Sequence, residues 1–189
     1  MAVVHRTTMS PGKLELVASW LPEQPWYEGV PGRAPELARA GGFRLDDPEG
    51  EVGIEFMVVT DTAGPGDPVA YHVPLTYRGA PLPGAEHALV GTSEHGVLGT
   101  RWIYDGAADP VLLAQLHALL HGEAVPQAQS ASDTPDPTVV VVPGKPGPTV
   151  TLTRVLNPHA PTDPHTHVTA PWHAPSGTPT RAVFASLRP

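Results

Sequence analysis

The chain has no cysteine among its 189 residues, which excludes a disulfide framework, thiol catalysis and any cysteine-ligated metal centre. Charge is also scarce: Asp, Glu, Lys and Arg together make up 16% of the residues. The 11 basic residues are outnumbered by 19 acidic ones, for a net charge of -8. They are scattered rather than striped, so duplex nucleic acid, whose binding displaces counterions through clustered Lys and Arg, is excluded as a partner. No window reaches the apolar length of a membrane span. The N-terminus, Met-Ala-Val-Val-His-Arg, lacks the charged region and apolar core of a secretory signal. The expectation is a cytoplasmic protein that does not contact membranes. The glycines follow no phosphate-loop spacing, and there is no G-x-S-x-G elbow.

Proline and glycine are abundant, with 25 and 19 copies. Proline crowds into the last third, whereas apolar periodicity fills the part before Gly122. Three regions are therefore expected: a folded domain over 1–122, a linker over 123–137, and a Pro-rich C-terminal extension over 138–189.

Ala2 to Thr7 alternates and reads as a first strand. Ser10-Pro11 then reads as an N-cap followed by proline at the first helical position, with Leu14, Val17 and Leu21 at helical spacing until Pro22. Gly41 to Leu45 reads as a short strand, with a turn after it at 46–50. Val52, Ile54, Phe56 and Val58 line one face of the next strand. Val69, Tyr71, Val73, Leu75 and Tyr77 line one face of the strand after that. Such alternation predicts a sheet with one buried and one polar face. A further strand is expected over Leu98–Asp105. Asp109-Pro110 opens a second helix carrying Leu112, Leu116 and Leu119, closed by Gly122. Thr138–Val142 and Thr149–Leu156 are expected to pair as a hairpin that extends the sheet or covers its edge. Arg181–Leu187 reads as a last short strand.

One segment places the chain among known proteins. Trp20-Leu21-Pro22-Glu23-Gln24-Pro25-Trp26-Tyr27-Glu28-Gly29 resembles the W-L-P-x-Q-x-W-Y-x-G signature opening the N-terminal cap of actinobacterial maltokinases and related sugar kinases. Pro74, Leu75, Tyr77 and Arg78 resemble a later strand of that cap. Gly91, Trp102, Tyr104 and Asp105 resemble the next stretch, and Asp109-Pro110 the closing helix. The resemblance covers roughly residues 1–122 and implies an antiparallel sheet with helices, outside the phosphoryl-transfer machinery. The kinases also carry a His-Gly-Asp-x-His loop and a metal-binding acid in a catalytic lobe. Here the nearest string is His121-Gly122-Glu123, with Glu for Asp and no following His. No catalytic residue and no cofactor carries over.

Other constellations have competing readings. Trp20, Trp26 and Tyr27, with Trp102, could stack on a sugar ring. Alternatively the first three pin a helix-to-loop corner onto the sheet, the reading the resemblance favours. Asp46, Asp47, Glu49, Glu51 and Glu55 form an acid cluster, mostly in a turn where solvation keeps carboxylates from acid–base work. His165 and His167, near His159 and His173, are the weak metal candidates in a loop with little preorganisation. Ser93-Glu94-His95 has triad chemistry by residue type but not by arrangement.

The expected fold is α+β: a twisted, mainly antiparallel sheet with two helices packed on one face and a Pro-rich C-terminal hairpin. The expected role is that of a non-catalytic cap, without enzyme activity, that interacts with a kinase-like or glucan-processing enzyme in sugar, α-glucan or trehalose metabolism. A carbohydrate-binding module is the alternative, with a saccharide as ligand. A phosphotransferase subunit that needs a partner chain is a third reading.

Overall fold

The computed structural model describes residues 9–131 and 133–189. The strand expected over Ala2–Thr7 lies outside them. In chain order the elements are β1 (Met9–Ser10), α1 (Lys13–Trp20), β2 (Leu37–Leu45), β3 (Gly53–Asp61), β4 (Val69–Arg78), β5 (Leu89–His95) and β6 (Gly99–Asp105). They continue with α2 (Pro110–Leu120), β7 (Gln127–Ala128), β8 (Val140–Val142), β9 (Thr149–Leu152), β10 (His167–His173) and β11 (Pro179–Arg188). The class is α+β, dominated by an open, twisted antiparallel sheet.

The sheet runs β1-β5-β6-β4-β3-β2-β10-β11-β9, with β7 paired to β2 and β8 to β10. Thr138–Val142 and Thr149–Leu156 do not pair with each other as expected. Val140–Val142 meets His167–Thr169, while Thr149–Leu152 meets Ala185–Arg188. The tail's hairpin is instead β10 with β11. Through Trp172 opposite Gly41, it joins the edge of β2. Beyond β9 the chain curls back, so that Thr153 N donates to Phe184 O at 2.8 Å and Val155 bridges Tyr71 of β4.

Helix α2 begins as its sequence predicts. Asp109 accepts from Val111 N at 3.0 Å as the N-cap, and Pro110 follows where no N–H is needed. At its end Gly122 N donates to Leu119 O (2.9 Å) and Glu123 N to Ala118 O (2.8 Å), a Schellman motif. Gly122 sits at φ +75, left-handed backbone that glycine adopts at least cost. Helix α1 starts two residues later than expected, with Gly12 as N-cap, because Ser10 is held in β1 opposite Glu94.

The expectation of one polar sheet face is overturned. From Ile54 to Asp61 every residue of β3 is buried. Ile54, Phe56 and Val58 enter one core with Phe43, Trp172, Phe184 and the α2 leucines. Met57 and Val59, on the alternate positions, enter another core with Val17 and Leu21 from the α1 end, plus Tyr71 and Val73. The helices are thus divided between the two faces rather than sharing one, because an apolar run on both parities of a strand needs cover on both sides.

Candidate functional site

The helix-to-loop corner builds the densest cluster of the resembling residues. After Trp20 a short 3-10 turn, Leu21–Glu23, carries Pro22 in its first turn. Gln24 Nε2 then donates back to Trp20 O at 3.1 Å, and Tyr27 N to Gln24 O at 3.0 Å. This folding brings Trp26 edge-on to Trp20 (5.8 Å between centroids) and places both Trp26 (6.0 Å) and Tyr27 (5.5 Å) against Tyr71. Gly29 is required next to this stack, since a Cβ there would lie 2.0 Å from the Tyr27 ring.

The corner is tied down by buried acceptors. The Tyr27 hydroxyl donates to Asp61 Oδ2 at 2.9 Å, while Asp61 Oδ1 accepts from Glu36 N and Ala63 N. Burial, reinforced by the Asp61 carboxylate, pushes the Tyr27 phenol up to about 12. The Tyr71 hydroxyl accepts from Glu28 N at 3.0 Å.

A second device lies along β4, one edge of which has two partners. Leu75–Arg78 pairs with β6, whereas His72 N donates to Arg154 O at 2.8 Å in the returning segment. By the two-residue alternation, an N–H at position 74 would point into the gap between these partners. Pro74, which has none, fits there without loss. Arg154 closes the gap: its Nη2 donates to Asp105 Oδ1 (2.9 Å) and Oδ2 (2.6 Å) at the end of β6. Its guanidinium lies 5.0 Å from the Trp26 ring centroid, a cation–π contact. The corner, the split strand and the C-terminal segment therefore meet at one clasp.

Arg78 forms a further tie. Its Nε and Nη2 hold the fully buried Asp109 at 2.7 and 2.6 Å, fixing the N-cap of α2 to the sheet. Burial opposes the Asp109 charge, but hydrogen bonds from Arg78 and the Val111 amide hold its carboxyl below the ordinary range. Leu75 lies in the α1-side core. Tyr104 accepts from Leu82 N at 2.9 Å and packs with Trp102 and Ala85. Gly91 leaves room for Leu16, whose Cδ2 would lie 2.7 Å from a Cβ there.

These residues lie within a recognised family segment. Residues 20–109 match the family model of the maltokinase N-terminal cap domain. Over those residues the chain is similar to this cap domain. No curated protein and no solved structure matches it.

Within the cap, the acid cluster is not one group. Asp47 is buried, and its carboxylate accepts from the amides of Glu49, Glu51 and Val52, so it is not the solvated turn acid expected. Glu55 lies apart on β3, is 3% exposed and faces the α1 end. It accepts from the Tyr77 hydroxyl (2.5 Å), Lys13 Nζ (2.6 Å) and Gln129 Nε2 (2.8 Å), with Arg39 Nη2 at 3.6 Å. Burial alone would raise its carboxyl, yet Lys13 and Tyr77 together bring it below the ordinary value. Burial and the Glu55 charge push the Tyr77 phenol far up. The expectation of solvated turn carboxylates thus fails at Asp47. Glu55 ties α1, β2, β4 and Gln129 together, which no local pattern around it signals.

The remaining candidates are engaged locally. Ser93 Oγ donates to Pro11 O, Glu94 accepts from Thr100 Oγ1, and His95 Nδ1 accepts from the amides of Val97 and Leu98. His165 Nδ1 lies 2.9 Å from Arg188 Nη1 and 3.2 Å from Asp163 Oδ1, while His167 Nδ1 meets His165 O at 2.7 Å. A concavity of about 290 Å³ lies nearby, lined by Asn157, Asp163, Arg188, Val155 and Val183 among others. His159 bonds its own loop through Asn157. Among the described residues no helix is long and apolar enough to cross a membrane.

Proposed function

We propose that the cap acts as a non-catalytic interaction or regulatory module in sugar, α-glucan or trehalose metabolism, within the cytoplasm. One observation carries this reading. The residues following the family match in this sequence build α2 and five further strands of the cap's own sheet, and its signature residues are engaged in holding that sheet together. Arg78, Asp105, Trp26 and Tyr27 each bind another part of the fold. The natural partner is then a protein, a kinase-like or glucan-processing enzyme, and the cap supplies a shaped surface rather than reacting groups.

The carbohydrate-binding reading loses support from the same contacts. Trp20 is 8% exposed, Trp26 is covered by Arg154, and Tyr27 lies on Tyr71, so these rings serve the corner instead of an open platform. A phosphotransferase subunit activated by a partner chain is the third reading. Capture of partners from the native cytoplasm, with ATP consumption assayed alongside in the presence of maltose, separates the three. Stoichiometric recovery of a kinase or glucan enzyme, with no turnover by the purified chain, supports the proposal. Saccharide-dependent ATP consumption by the purified chain refutes it, and a maltose-dependent shift in tryptophan fluorescence would restore the carbohydrate reading.

A further inference from the structure

The outward face of α2 carries a feature independent of the cap's signature residues. His117 and His121 are four residues apart, both exposed, and their rings stack at 4.2 Å between centroids with planes 27° apart. Residues at this spacing are neighbours on a helix surface, and the stacked rings hold their in-plane lone pairs side by side, so a shared ion requires the exposed His117 ring to turn about its side-chain bonds. His121 Nδ1 lies 2.9 Å from His117 O, a carbonyl that can only accept. The Nδ1 therefore carries the proton, and the lone pair of His121 is left on Nε2, facing away from the backbone.

This is how metal-ligating histidines are prepared: one ring nitrogen donates to a carbonyl, which sets the tautomer and orients the other as ligand. The Schellman motif at Gly122 fixes the backbone directly below His121, so the ring is carried on an ordered turn. We propose that His117 and His121 form a two-imidazole chelate for a divalent metal ion of the zinc, nickel or copper type. Imidazole suits these ions, whereas magnesium and calcium select oxygen donors. Among the described residues there is no group of three or more metal-ligating side chains, so solvent or a donor from a second molecule completes the coordination. The ion bridges one helical turn and binds only the folded helix, so it stabilises α2.

The test is calorimetric titration of the full chain with zinc chloride, and separately with nickel chloride, followed by thermal unfolding with and without metal. The expected result is one saturable site and a raised Tm. His117→Gln and His121→Gln should each weaken binding by at least about tenfold and remove the Tm shift. Both positions are solvent-facing and Gln is a good helix former, so the variants keep their circular dichroism spectrum. His165→Gln should bind as the parent does. Absence of saturable binding overturns the proposal. So does binding that survives in His121→Gln, or that is lost in His165→Gln while the spectrum is retained.

Discussion

His72 makes the stability of this protein depend on pH in a window that its carboxylates do not reach. Its imidazole is fully buried, with ring centroids 4.6 Å from Phe184 and 5.8 Å from Phe56, and Nδ1 at 2.9 Å from Thr153 O. The carbonyl accepts, so Nδ1 holds the proton of a neutral ring. Burial first, and the nearby Arg154 charge in addition, push its pKa from 6.5 down to about 3. In the unfolded chain the same ring protonates near its ordinary value. Between the two values the unfolded state therefore binds one more proton. The stability is complete above the unfolded pKa and is lost as pH falls towards the folded one.

The slope is at most about 1.4 kcal/mol per pH unit, or roughly 2.5 kcal/mol between about pH 6.5 and 4.5. That is a large share of the about 5–15 kcal/mol that holds a typical domain. Glu55, Asp109 and Asp163, whose carboxyls lie below their ordinary values, lose their contribution only in more acid solution. Urea unfolding followed by tryptophan fluorescence at several pH values between about 7 and 4.5 measures the slope. His72→Gln, which keeps a hydrogen-bond donor without a titrating ring, should lower stability at neutral pH and flatten the slope across this window. An equal slope in parent and variant would refute the reasoning, because it would mean that His72 accepts a proton in place or that another group carries the effect.

Three further outcomes follow from the contacts. Asp109→Ala removes the α2 cap and leaves Arg78 facing an empty site; it should cost about 3 kcal/mol in urea unfolding, whereas Arg78→Lys, which loses only the fork, should cost less. Arg154→Ala uncovers Trp26 and leaves Asp105 without its clasp. Its tryptophan emission should move to longer wavelength, with a loss of about 2–3 kcal/mol, and unchanged emission would argue against the clasp. Phe184→Ala empties a fully buried position in the core shared by the C-terminal strands and the cap. It should cost about 3–5 kcal/mol in one cooperative transition, while a separate transition for the C-terminal strands would show that they fold independently.

Much of the local structure was legible before any coordinates. Asp109-Pro110 and Gly122 mark the ends of α2 by the hydrogen bonds those residues make or lack, and these depend on near neighbours alone. The alternation of Val69 to Tyr77 likewise marks β4. Phe56-Met57-Val58-Val59, four apolar residues in succession, carried a sign of two buried faces, but the even-numbered set dominates the pattern of that strand. The signature residues were identified by type, yet their roles as a corner stack and a clasp depend on Tyr71, Asp61 and Arg154, which no spacing connects to them.

The sequence by itself determined where α2 begins and ends and which strands alternate, which are short-range consequences of backbone hydrogen bonding and side-chain period. Its likeness to a cap at Trp20 to Gly29 is a matter of residue types in order. Only the tertiary structure decided that α1 and α2 cover opposite faces, that Glu55 is buried among Lys13, Tyr77 and Gln129, and that a proline-rich segment completes the sheet. Trp172 opposite Gly41 and Val155 opposite Tyr71 are pairings between distant positions. Such pairings are selected by the burial they complete across the whole fold, which residues near one another in the chain do not encode.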